Sequence, residues 1–117
     1  MDKIQAFTDL LVWQKSHKFV LKIYKITKQF PADERFGLIS QVRRSAVSVP
    51  ANIAEGFKKR GPRDKANYYN IAQGSLDETK YYLILAKDLG YIPSNTSLLA
   101  DAEEIHKMLN AFINGIK

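Results

Sequence analysis

Cysteine is absent from the 117 residues. That excludes disulfides and thiolate metal sites, and it fits a reducing cytoplasm. No stretch approaches the roughly 20 apolar residues of a membrane-spanning helix. The opening, MDKIQAFTD, lacks the long apolar run of a signal peptide. A cytoplasmic protein without a membrane partner is therefore expected. Strand-type alternation, fixed-period repeats and low-complexity segments are also missing. Histidine occurs only as His17 and His106. Glu103 and His106 make one Glu-x-x-His, whereas a di-metal bundle site takes two such motifs and two further inward glutamates. GFKKRG lacks the spacing and the closing Lys-Ser or Lys-Thr of a phosphate-binding P-loop. No nucleophile has an activating histidine beside it in the sequence. These absences point away from an enzyme. No catalytic residue, cofactor or metal ligand is assigned.

Acidic residues are sparse in one half only. Residues 1 to 65 hold 14 Lys and Arg against 6 Asp and Glu, while residues 66 to 117 hold 4 against 6. The net charge of +6 therefore comes from the first half. Such asymmetry suits a polyanion partner, and it equally suits a solubility surface.

Apolar spacing of three and four predicts four helices, at about 9–29, 34–59, 64–89 and 95–115. Met1 to Phe7 is expected to be an arm of low order. Thr8 or Asp9 can cap the first helix, Asp33 the second and Asp64 the third. The first helix carries two apolar stripes. Leu10, Trp13, His17, Val20, Tyr24 and Thr27 form one; Val12, Ser16, Phe19, Ile23, Ile26 and Phe30 form the other. Two stripes call for cover on two sides, from bundle neighbours or another subunit. His17 is expected in a core or an interface. Lys15, Lys18, Lys22 and Lys25 form a third, basic line. It is either a solvated face or a row of ammonium groups for phosphates.

The second helix holds SQVRRSAVSVPANIAEG, with Val42, Ala46, Val49 and Ile53 on one face and Gln41, Ser45, Ser48, Asn52 and Glu55 on another. Pro50 lies inside it and costs a free helix roughly 3 kcal/mol, so packing has to carry the chain through. Arg44, Gln41, Ser48, Asn52 and Glu55 are expected to pair this helix with Ser75 and Glu78. Lys58, Lys59, Arg60, Arg63 and Lys65 crowd the turn that follows. In the third helix, Tyr68, Ala72, Ser75, Thr79, Tyr82, Ala86 and Leu89 form the expected seam, and Leu76 and Leu83 widen it. Tyr69 and Tyr81 then face outward, toward a subunit interface or unpaired bases. Gly74 is expected to let small residues of the second helix approach. Gly90 suits the position that ends the third helix, and Leu98, Ala102, Ile105, Leu109, Phe112 and Ile116 form a clean apolar line in the fourth. Asp101, Glu103 and Glu104 make that helix acidic. Four helices with short turns favour one all-α domain over 1–117, an antiparallel up-down-up-down four-helix bundle.

LLVWQKSHKFVLKIYKIT, QVRRSAVSVPANIAEGFKKR and YYNIAQGSLDET at these separations resemble a known family. It comprises the small bundle proteins encoded within intervening sequences of bacterial 23S ribosomal RNA genes. The likeness covers about residues 9 to 92. The accessory variability-determinant proteins of diversity-generating retroelements share the bundle. The resemblance implies an antiparallel four-helix bundle, a homopentamer and nucleic-acid binding, and no established catalysis. The expected phosphate contacts are Lys15, Lys18, Lys22, Lys25, Arg43, Arg44, Lys58, Lys59, Arg60, Arg63 and Lys65. Such contacts position RNA or DNA without reading bases, so sequence preference is expected to be weak. The alternative is a protein-interaction scaffold for an acidic or ribonucleoprotein partner.

Overall fold

The computed structural model describes residues 3–116. Four helices account for most of them: α1 (Leu11–Thr27), α2 (Leu38–Lys58), α3 (Pro62–Asp88) and α4 (Thr96–Asn114). Each packs against its neighbours in the order α1, α2, α3, α4 and back to α1, and the backbones of the diagonal pairs stand farther apart. Short connections make successive helices antiparallel, which gives the expected up-down-up-down bundle. Val42, Ala46, Val49, Ile53, Leu76 and Leu83 lie wholly buried along the axis between α2 and α3. Pro50 is buried within a continuous α2, and the packing of that face offsets its missing N–H.

The ends of the helices depart from the sequence reading in instructive ways. Asp9 does not cap α1. Its carboxylate accepts the N–H groups of Gln5 and Ala6, both at 3.0 Å, and closes a 3-10 turn at Phe7–Asp9. Those two bonds hold its pKa below the usual carboxylate range. The expected loose arm is thus organised from Gln5 onward, while Met1 and Asp2 lie outside the described residues. α2 starts at Leu38 rather than 34, because Gly37 takes a non-helical conformation. Pro62 starts α3 instead of preceding it; its fixed φ and missing N–H suit the first helical position. Gly90 ends α3 at φ +79°, a conformation that disfavours any Cβ. Tyr91 N–H then reaches Ala86 O at 2.9 Å and Gly90 N–H reaches Lys87 O at 3.0 Å, a Schellman closure.

Glu34, not Asp33, serves the start of α2. Its Oε1 accepts the Leu38 N–H at 3.1 Å, and the Tyr91 hydroxyl donates to its Oε2 at 2.7 Å. The Tyr91 bond, then the Leu38 bond, holds the Glu34 pKa below the usual carboxylate range. A depressed carboxylate stabilises the fold fully above its unfolded value and loses that contribution as pH falls through the folded one. Urea midpoints between pH 7 and pH 3 should therefore fall less for Glu34→Gln than for the unaltered chain. Parallel pH profiles for the two would contradict this.

In α3 the interior takes Tyr69 in place of Tyr68, Ser75 and Tyr82 are half-buried, and Leu89 is exposed. The buried line of α3 is Tyr69, Ala72, Leu76, Thr79, Leu83 and Ala86. Tyr69 is 1% exposed and meets Phe112 edge-on at 5.0 Å, so it cannot serve an outer interface. Burial raises its pKa. Tyr68 lies half-buried outside the line, and Tyr81 does face outward. Gly74 also faces outward: a Cβ there would meet nothing within 4 Å. The glycine closely approached is Gly56, whose Cβ would lie 2.6 Å from Tyr69 Cε1. In α1 the bundle covers Val12, Ser16, Phe19, Val20, Ile23 and Thr27. His17 is exposed and stacks on Trp13 at 5.1 Å, so it is not a core residue.

Candidate nucleic-acid interface

The eleven candidate cations separate into three groups. The first is the α1 line. α1 and α4 are neighbours, so the basic line of one lies along the acidic line of the other. Lys15 Nζ stands 3.1 Å from Glu104, and Lys22 Nζ 2.8 Å from Asp101. These exposed pairs contribute at most about 1 kcal/mol each, but they match two of the four charges. Of the two readings of this line, a row of four free ammonium groups does not hold, because Lys15 and Lys22 face carboxylates. Lys18 and Lys25 are exposed and make no ion pair among the described residues.

The second group is tied to the bundle itself. Arg43 Nε donates to Thr27 Oγ1 at 2.8 Å, its Nη2 to Tyr24 O at 3.3 Å, and its guanidinium lies over the Tyr24 ring at 4.6 Å. It joins the C-terminal end of α1 to α2, where a positive charge is favourable. It is not a free phosphate ligand. Lys65 Nζ donates to Phe57 O at 2.7 Å and Gly56 O at 3.3 Å, which satisfies the last carbonyls of α2. Arg44 bonds Gln41 Oε1 at 2.8 Å and stands 3.9 Å from Glu78. It joins the expected α2–α3 network. Ser48 and Ser75 share a 2.8 Å bond, and Asn52 Nδ2 donates to Ser48 O and Oγ at 2.8 and 2.9 Å. Glu55 stays out of this network and pairs with Lys58 at 3.5 Å. The buried Ser45 and Thr79 hydroxyls bond each other at 2.7 Å and complete the helix pairing.

The third group is the α2–α3 turn, at the pole where α1 begins and α4 ends. Lys58, Arg60 and Arg63 are exposed, and Lys59 sits over the Tyr68 ring at 5.2 Å. Arg60 and Arg63 have no ion pair among the described residues. Beyond Arg63, an open groove of about 440 Å³ runs along the first turns of α3, lined by Asp64, Ala66, Asn67 and Asn70. The two amides were not anticipated. Their spacing of three is the one sequence signal that places both on a single face. Each offers donors for phosphate oxygens and donor–acceptor pairs for base edges.

Glu103 bonds Lys80 at 3.2 Å, which lowers its pKa, and it has no metal-binding partner set around His106. Among the described residues, no group of three or more His, Cys, Asp or Glu is placed to hold a metal. No helix among them is long and apolar enough to cross a membrane.

No curated protein matches the chain. A solved structure does, with a TM-score of 0.81 and 32% identity over 88% of this chain and 98% of the other. It is described as a protein of unknown function from the S23 ribosomal protein family of Bacteroides thetaiotaomicron. The family model for the 23S rRNA-intervening sequence protein matches residues 8–111. That span takes in all of α1, α2 and α3 and most of α4, including the proline-bearing helix and the basic turn, so the chain belongs to the 23S rRNA-intervening sequence protein family.

Proposed function

We propose that this protein is a non-enzymatic, oligomeric bundle of the bacterial cytoplasm that binds RNA or DNA through the α2–α3 turn. The observation that supports this most is the state of Lys58, Lys59, Arg60 and Arg63. They gather at one pole, with Asp64 and the Glu55 partner of Lys58 as the acids near them. The α1 lysines are half matched by α4, and Arg43 and Lys65 are engaged with the fold. The contact surface is therefore narrower than the full basic half of the chain. Phosphate contacts of this kind carry little sequence information. A pentamer, which the family resemblance implies, repeats the patch five times, and linked sites raise avidity without new contacts.

Titration of labelled single-stranded and duplex RNA and DNA at rising KCl tests this. Each phosphate contact adds about 0.7 to 0.9 to the slope of log affinity against log salt, so four cations give a slope near −3 per chain. An affinity that ignores salt, or no binding at low salt, would remove the reading. Capture of a partner that persists after nuclease treatment would favour the protein scaffold instead.

A further inference from the structure

A groove at the pole of the basic turn is left open where the end of α2, the start of α3 and the last turn of α4 meet. Its volume is about 340 Å³. Phe57, Tyr69, Phe112 and Ile116 make it mainly apolar, and Lys65 is the charged residue that lines it. The chain leaves the groove at Phe57, runs through Lys58, Lys59, Arg60 and Arg63, and returns to it at Lys65. The cations of the turn therefore stand beside an aromatic slot.

Two side chains in this slot have hydrogen-bonding capacity that the fold does not use. Buried tyrosine hydroxyls normally find a partner. Those of Tyr82 and Tyr91 donate to Glu78 and Glu34, each at 2.7 Å. Tyr69 is the most buried of the three, yet its hydroxyl has no partner among the described residues. Among the same residues, the side-chain polar atom that is both unpaired and sealed from solvent is His106 Nδ1. The Tyr69 hydroxyl is thus unpaired but not sealed, and the trace of surface left to this residue lies at its tip, in the groove. Lys65 Nζ carries three N–H groups. Two go to Phe57 O at 2.7 Å and Gly56 O at 3.3 Å, and one remains. The same ammonium stands 5.5 Å from the centre of the Phe57 ring.

Aromatic walls, one phenolic O–H and one unused N–H suit a flat ligand with apolar faces and a polar edge. A nucleobase has that form, and its phosphates stay outside, beside the cations of the turn. An acyl chain or a phenylalanine ring would fill the same space but leave the Tyr69 hydroxyl unpaired. We infer that the groove takes one unpaired base of the bound nucleic acid, packed against Phe57 and Phe112, with the Tyr69 hydroxyl and the remaining Lys65 N–H on its polar edge. This rests on the proposed function and narrows its substrate class to single-stranded, looped or bulged segments. A base within a duplex has to leave its stack before it can enter.

Anisotropy titrations of three labelled probes test it: oligothymidine, an abasic strand of equal length and charge, and a duplex. Oligothymidine is expected to bind about tenfold or more tighter than the abasic strand, the usual worth of a stacked base. Ala111→Phe fills the groove from an exposed position on α4 and should remove that advantage, with abasic and duplex binding unchanged. Tyr69→Phe keeps the packed ring and deletes only the hydroxyl. It should lower oligothymidine affinity about fivefold with the salt slope unchanged, since the lost group is uncharged. Circular dichroism and melting midpoints report the folding of both variants. Equal binding of oligothymidine and the abasic strand, or full preference retained in both variants, overturns the groove while the reading of the turn stands. Equal loss of all three probes in a folded Ala111→Phe chain assigns the groove to backbone contact and overturns the inference as well. Failure of the unaltered chain to bind any probe at low salt removes the proposed function itself, and the groove with it.

Discussion

Gly56→Ala should lower stability by about 2 to 3 kcal/mol, the usual cost of forcing atoms into a filled core. The new methyl would sit 2.6 Å from Tyr69 Cε1, 3.0 Å from Tyr69 Cδ1 and 3.1 Å from Tyr68 Cβ. The neighbour is not a flexible tip that can swing aside. It is the ring of a 1% exposed tyrosine, held edge-on by Phe112. Either the ring leaves its packed position or α2 moves off α3 at the end beside the basic turn. For a domain of this length the melting temperature should fall by about 10 °C or more. Gly74→Ala is the matching control, since a Cβ there meets nothing within 4 Å. It should be neutral or raise the midpoint, because alanine is the better helix former. Thermal and urea melts of the two variants decide the matter. Equal midpoints would show that α2 and α3 do not meet as closely as described.

Nucleic-acid affinity should fall at least about 100-fold at 100 mM salt when Lys58, Arg60 and Arg63 are all changed to glutamate. Each lost phosphate contact also removes about 0.7 to 0.9 from the salt slope, so the slope should flatten by about 2 to 2.7. The substituted side chains are exposed, so the helical content should be unchanged. Lys15→Gln with Lys22→Gln is the informative comparison. Both lysines already face carboxylates, and their removal should weaken binding far less. Anisotropy titrations with one labelled RNA serve for both variants. Equal losses would return the α1 row to the binding surface, and undiminished binding in the turn variant would take the turn out of it.

The helices were legible because apolar spacing repeats cleanly over long stretches. The α4 line from Leu98 to Leu109 is buried as its spacing implies, and Gly90 ends α3 with the positive φ that favours glycine. What was hidden lies in the third dimension. Adjacent tyrosines 68 and 69 have equal claims on the core, and it is Tyr69 that packs between Gly56 and Phe112. Asp33 and Glu34 both fit an N-terminal role, and the Tyr91 hydroxyl, 57 residues away, selects Glu34. The close approach expected at Gly74 occurs at Gly56 instead. For the site, the turn was readable as a cluster of cations. The pairing of Lys15 and Lys22 was not, because helical spacing does not say which residues of the last helix come level with them. Arg43 looked like its neighbour Arg44 in the sequence, yet one clasps Tyr24 and Thr27 while the other faces Glu78.

The hydroxyl of Tyr91 on Glu34 has a mechanical corollary. It ties the two crossover segments at one pole to each other, and Phe30 reinforces the tie with its ring 5.5 Å from that of Tyr91. The opposite pole has a single crossover, between α2 and α3, together with the first turn of α1 and the last of α4. One contact thus straps two crossovers at the same pole. Loss of that one hydroxyl, as in Tyr91→Phe, would therefore slacken both crossovers together while leaving the cationic pole untouched.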